Sequence, residues 1–171
     1  MAPVVSDFDR CYKYGMREGD ESLLREVEEA LSSEAGEAAA LAAAARHLAV
    51  DTATLHMLGD DGVLHLKAVE GHLPDQVLQK IATIEVGKGM AGLAVERAEP
   101  VTTCNLQSDD SGDVRPGAKA TGLQGSIVVP VLRGADAVGA LGVANHQERD
   151  FSAEETALLV EVARRIGATS G

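Results

Sequence analysis

Residues 125–144 read GSIVVPVLRGADAVGALGVA, two almost unbroken apolar runs, Gly125 to Leu132 and Ala137 to Ala144, joined at Arg133-Gly-Ala-Asp136. Strands without polar alternation are those covered on both faces. The pair therefore predicts a hairpin at the centre of a sheet, with Pro130 marking an edge or a bend. A second hairpin lies upstream. Thr52 to Leu58 alternates apolar and polar, GDDG follows as a turn, and Val63 to Val69 alternates again. If Leu58 pairs with Val63, His56 and His65 face one another across that hairpin. Between the two hairpins the pattern predicts a short helix over 74–81, a short strand over 84–86, a turn and helix in GKGMAGLAVER, and a short strand after Pro100. Asn105 to Gly122 is a long polar stretch of the kind that often carries function.

Helical period frames this core. Leu23, Leu24, Val27 and Leu31 fall on one face of a first helix, which Ser32 and Ser33 interrupt. Leu41, Ala45, Leu48 and Ala49 form the stripe of a second. At the other end Ser152 followed by Glu155 is a capping box, and Leu158, Leu159, Val162 and Ile166 are the buried stripe of a last helix. The order predicts an α+β fold: a mainly antiparallel sheet, terminal helices on one face, short helices and a long loop on the other. Residues 1–20 read as an arm or short helix and 21–171 as one domain.

Composition narrows the function. A formal charge of −12 argues against nucleic acid, which is held by clustered Lys and Arg. No apolar run is long enough for a membrane span, no secretory leader is visible, and Cys11 and Cys104 are too few and too far apart for a disulfide framework or a zinc pattern. The expectation is a cytoplasmic protein with no cofactor and no metal. From Gly15 to Asp150 the sequence has no Phe, Tyr or Trp. A pocket there is lined by aliphatic and small polar side chains, which weighs against purines and tetrapyrroles that stack on aromatic faces.

From about Glu34 to Gly167 the sequence resembles a GAF domain. The resemblance is carried by ATLHMLGDDGVLHLKA, GKGMAGLAVERAEPV, GSIVVPVLRGADAVGALGVAN and FSAEETALLVEVARRIG, in that order and spacing. It implies a PAS-like sheet of about six antiparallel strands with a pocket between the sheet and the loop-helix layer. It also implies a sensory role in signal transduction and a homodimer formed through the terminal helices. No output domain is visible in the sequence, so the signal is expected to pass to a partner protein.

One subfamily reduces free methionine sulfoxide with cysteines near the pocket. Here Met90 and Ala91 stand in GKGMAG where that pattern has a cysteine, the other cysteine position falls near Lys119, and only Cys104 is close. A lone cysteine after a short strand reads as a small buried hydrophobe. The family's cyclic-nucleotide signature is half matched by Asn145-His146 and Phe151 to Glu155. The structural alternative is that Phe151 staples the last helix and Ser152 caps it. A metal on His56 and His65 would lack a third ligand.

The expected ligand site gathers backbone N–H groups at Gly89, Met90 and Ala91, at a helix start suited to anions, with Asn105, Arg115, Lys119, Thr121 and Ser126. Its ligand is a small polar or anionic molecule, and no residue is assigned a catalytic role. The plainer reading of Arg115 and Lys119 is that they pair with Asp109, Asp110 or Asp113. Binding is expected to order residues 105–122 and to bias the packing of the terminal helices. The alternatives are a ligand-free dimerisation module and a methionine sulfoxide reductase.

Overall fold

The computed structural model describes residues 17–114, 119 and 121–170. The N-terminal arm expected over residues 1–20 therefore falls mostly outside the described residues, as does Arg115. Six strands form one antiparallel sheet in the order β3-β2-β1-β6-β5-β4. They are β1 (Thr52–Leu58), β2 (Val63–Glu70), β3 (Thr83–Glu85), β4 (Val101–Thr103), β5 (Ser126–Arg133) and β6 (Asp136–Ala144). The helices are α1 (Glu18–Leu31), α2 (Gly36–Leu48), α3 (Asp75–Ile81), α4 (Gly89–Arg97) and α5 (Ala153–Thr169). The hairpin at residues 125–144 thus supplies β5 and β6, and β6 joins it to the first hairpin through β1. β4 pairs only with residues 126–128 of β5, so Pro130 sits where that flank has passed the end of its neighbour.

Alternation assigns each strand residue to a face. Ala53, Leu55 and Met57 of β1, Ile127, Val129 and Val131 of β5, and Leu141 and Val143 of β6 all pack against α1, α2 and α5 in one continuous core. The alanines of α2, buried at positions 40, 43, 44 and 45, let that helix lie close. Gly167 of α5 brings its helix so near the Leu132 carbonyl that a Cβ would collide with it. The capping box of α5 forms as expected, with Glu155 N–H donating to Ser152 Oγ at 3.1 Å and Ser152 N–H to Glu155 Oε2 at 2.9 Å. Glu161, on the same helix, is held by Arg164 and Arg165, and Arg165 also reaches Glu28 of α1. Burial pushes the Glu161 carboxyl up, but hydrogen bonds and charge from the two arginines outweigh it and hold the group below the usual carboxylate range.

Three sequence expectations are corrected. Leu58 lies opposite Leu64, not Val63, so that Met57 pairs with His65 and His56 with Leu66; beyond His56 a bulge passes over Lys67. A one-residue change of register moves a side chain to the other face. The two histidines do not meet: His65 instead contacts Asp61, at 2.8 Å. Ala49 is not part of the α2 stripe but its exposed left-handed C-cap, at φ 51°. Cys104 is exposed rather than a buried hydrophobe.

Among the described residues no helix is long and apolar enough to cross a membrane, and no three His, Cys, Asp or Glu side chains gather as a metal would require.

Candidate functional site

The other face of the sheet is roofed by α3, α4 and the segment after β4; Ala94 and Val95 of α4 pack there on Leu64, Val101, Val128 and Ala140, and beside this smaller cluster the layer is not filled. A cavity of about 480 Å³ lies between the floor strands and this roof, within the range of pockets that hold small metabolites. Its floor is the complementary set of strand residues: Thr52, Thr54 and His56 from β1, Ser126 and Val128 from β5, and Gly142 and Ala144 from β6. The small residues make the room. At Gly142 a Cβ would stand 3.2 Å from Thr54 Oγ1 and 3.3 Å from Val128 Cγ2, inside the space the cavity now occupies. Leu73, Val77, Ile81, Ile84, Leu106 and Leu123 supply the apolar wall.

The α4 end of the cavity follows from three glycines. Gly87 and Gly89 adopt φ of 83° and 62°, which side chains disfavour. Gly92 lets α4 approach so closely that a Cβ would strike the Glu85 carbonyl. The chain thereby turns from β3 into α4 within a few residues. Lys88, at the N-cap, gives no side-chain cap, so the first-turn N–H groups of α4 are open to a ligand. Gly89, Met90 and Ala91 line the cavity there.

Of the residues singled out from sequence, Gly89, Met90, Ala91, Thr121 and Ser126 line this one cavity. Asn105 and Lys119 do not. Asn105 Nδ2 donates to Glu148 Oε1 at 2.5 Å and its Oδ1 accepts from Gln107 N–H, closing a local turn. Lys119 Nζ donates to the Asp109 carbonyl at 3.0 Å, not to a carboxylate. The acids expected beside it are engaged elsewhere: Asp113 with Arg97 of α4 at 3.2 Å, Asp109 with Ser111 at 2.7 Å. Asn145 and Phe151 lie away from the cavity. Asn145 and the His146 N–H reach back to Asp51, while Arg149 stacks 4.5 Å from the Phe151 ring and bonds Glu155. That clasp ties β6, β1 and α5 together, which is the structural reading of the half-matched signature.

Two lysines were missed. Lys80 at the end of α3 and Lys88 before α4 both line the cavity, are exposed, and make no ion pair among the described residues. The signal that finds them is three-dimensional: they are eight residues apart, on either side of β3, and only the fold shows that both line one cavity. His56 was weighed only as half of a pair. It is 2% exposed, and its Nε2 lies 2.8 Å from the carbonyl oxygen of Ile81 at the end of α3, fastening the roof to the floor. Burial holds its pKa below the usual histidine value, against a smaller upward pull from that hydrogen bond. The ring is neutral at neutral pH. Chemically the site offers an aliphatic interior, hydroxyls and one imidazole on the floor, and positive charge with free amide groups at the rim.

The family model that matches the chain describes the GAF domain and covers residues 23–169. No curated protein matches in sequence. Among solved structures, the GAF domain of a phosphoenolpyruvate-protein phosphotransferase from Acinetobacter is 22% identical, with a TM-score of 0.73 over 90% of this chain and 93% of that one. The free methionine-R-sulfoxide reductase of Neisseria meningitidis, solved with its substrate, is 17% identical, TM-score 0.71, over 91% and 92%. The type II enzyme of Thermoplasma acidophilum is 24% identical, TM-score 0.62, over 84% and 94%. At such identities the likeness shows the shared fold.

Proposed function

The chain belongs to the GAF domain family, and from that premise we propose that it is a non-catalytic sensory module whose cavity holds a small polar or anionic metabolite. The observation that carries this reading is the open cavity itself, lined by two lysines that make no ion pair among the described residues and by the start of α4. Its aliphatic walls favour a ligand without a large aromatic ring. Occupancy favours whichever conformation binds better. The floor strands present their opposite side chains to α1, α2 and α5, so a shift in the floor reaches those helices and, through them, a partner protein or a second copy.

A thermal-shift panel of inorganic anions, amino acids, dicarboxylates and cyclic nucleotides tests the reading. A ligand present at a hundredfold its Kd adds about 2.7 kcal/mol to the folded state, a rise of roughly 5–10 °C for a chain of this size. The shift should be reduced in the K80A/K88A double variant. No shift with any compound would refute the module's sensory role.

A second reading, sulfoxide reduction, is favoured by the reductases among the similar folds. The cavity wall has no cysteine among its described residues, and Cys104 is exposed outside it. Methionine sulfoxide turnover that disappears in Cys104→Ser would establish that reading in place of the first.

A further inference from the structure

His56 is the one buried titratable side chain of the cavity, and half of its hydrogen-bonding capacity is unused. A carbonyl oxygen only accepts, so in the contact with Ile81 it is Nε2 that carries the proton and donates. The other ring nitrogen, Nδ1, has no partner among the described residues, although the residue is almost wholly shielded from solvent. In the neutral ring this nitrogen is a lone pair and can only accept. Its orientation is not free to change, because turning the ring to present N–H to the cavity would strand the Ile81 carbonyl. The rim has the opposite character. Lys80 and Lys88 carry donors alone, and so do the first N–H groups of α4.

A ligand in the cavity therefore meets donors at Lys80, Lys88 and the start of α4 and a buried acceptor at His56 Nδ1. We propose that His56 is a specificity-determining residue: the cavity takes a small aliphatic acid that places its carboxylate at the lysine rim and an O–H or N–H donor against His56 Nδ1, and it rejects acceptor-only acids of the same length. The inference rests on the cavity being a ligand site and goes further by fixing the polarity of the ligand along it. A carboxylate set against the Nδ1 lone pair would be repelled, and an alkyl end would leave a buried acceptor unpaired. A site built around a buried polar group discriminates strongly against analogues that leave it unsatisfied.

Three five-carbon acids separate the possibilities on the full chain at neutral pH: δ-hydroxyvalerate, valerate and glutarate, titrated by calorimetry. The expected result is that δ-hydroxyvalerate binds at least about tenfold more tightly than either of the others, and that His56→Phe erases the preference. Nitrogen NMR of the histidine rings gives an independent readout on the unaltered protein. His56 should be the Nε2–H tautomer when free, and its Nδ1 signal should move on adding δ-hydroxyvalerate. Glutarate binding as tightly as the hydroxy acid, no saturable binding by any of the three, or an Nδ1–H tautomer would each overturn the assignment. If glutarate wins, or if only another member of the thermal-shift panel binds, the cavity remains a ligand site and His56 alone is misassigned. Silence across that whole panel removes the sensory reading as well.

Discussion

The two faces of the sheet are built from the same strands, yet they are opposites. On the helix-covered face Leu55, Val129 and Leu141 are 0% exposed, and three helices press onto them. On the roofed face the residues in between are Thr52, Thr54, His56, Ser126, Gly142 and Ala144, and above them is space. One face is packed throughout, while the other packs Val128 and Ala140 against α4 and leaves room beside them. The difference teaches that the helix-covered core and the cavity floor in this molecule are separated by the two-residue period of a strand, so a substitution one position along changes what it disturbs.

The largest expected effect lies on the closed face. Leu141→Ala should cost about 2–5 kcal/mol of folding free energy, since it opens a void where no neighbour can collapse freely. Denaturant unfolding, with the slope unchanged and only the midpoint moved, measures it. A loss under about 1 kcal/mol would mean that this face is not close-packed and would break the comparison.

Next is a pH effect from the roofed face. Burial keeps His56 neutral in the folded chain, while in the unfolded chain it titrates near pH 6.5. Below that value the unfolded chain binds a proton the folded chain resists, so stability should be level above about pH 6.5 and fall as the pH drops below it. The slope from this group cannot exceed about 1.4 kcal/mol per pH unit. The other charged groups lining the cavity are Lys80 and Lys88. His56→Gln should flatten the dependence between about pH 5 and 7. An unchanged slope would show that the protonated ring is tolerated in the fold.

A smaller effect is expected at the start of α5, the helix that closes the packed face. Ser152→Ala removes the acceptor for the Glu155 N–H and should cost about 1 kcal/mol, read as a midpoint shift in the same unfolding experiment. Ser152→Asp, which restores an acceptor, should recover most of it.

How much of this the sequence held depended on whether the determinant was local. The central hairpin was legible because an unbroken apolar run has few other homes than a doubly covered strand, and the α5 cap because four adjacent residues make it. The register of the first hairpin was not, since an alternating pattern does not say that the loop brings Leu58 opposite Leu64 in place of Val63, the one-residue offset that displaced the expected His56–His65 pair. The α4 rim of the cavity could be read from glycine spacing. The lysines could not: Lys80 and Lys88 flank β3 in different parts of the chain, and only the fold shows that both line one cavity. Cys104 misled because it lies just past the end of the edge strand β4, outside the ladder that buries Val101, and is exposed there. Thr52, Thr54 and His56 were available in principle, as the complement of Ala53, Leu55 and Met57. The core was read from that alternation and its other half went unused.

The claim on which the rest stands is that one face is full and the other holds usable space, and paired enlargements test it most directly. Ala44, on the buried side of α2, is 0% exposed, and Ala144 lines the cavity floor. Each is changed to Leu and the unfolding free energy is measured with and without the strongest hit of the thermal-shift panel. The account predicts that Ala44→Leu loses about 1–3 kcal/mol through overpacking, while Ala144→Leu stays within about 1 kcal/mol of the parent and no longer responds to the ligand. Equal destabilisation by both, or a ligand shift that survives Ala144→Leu intact, would contradict it.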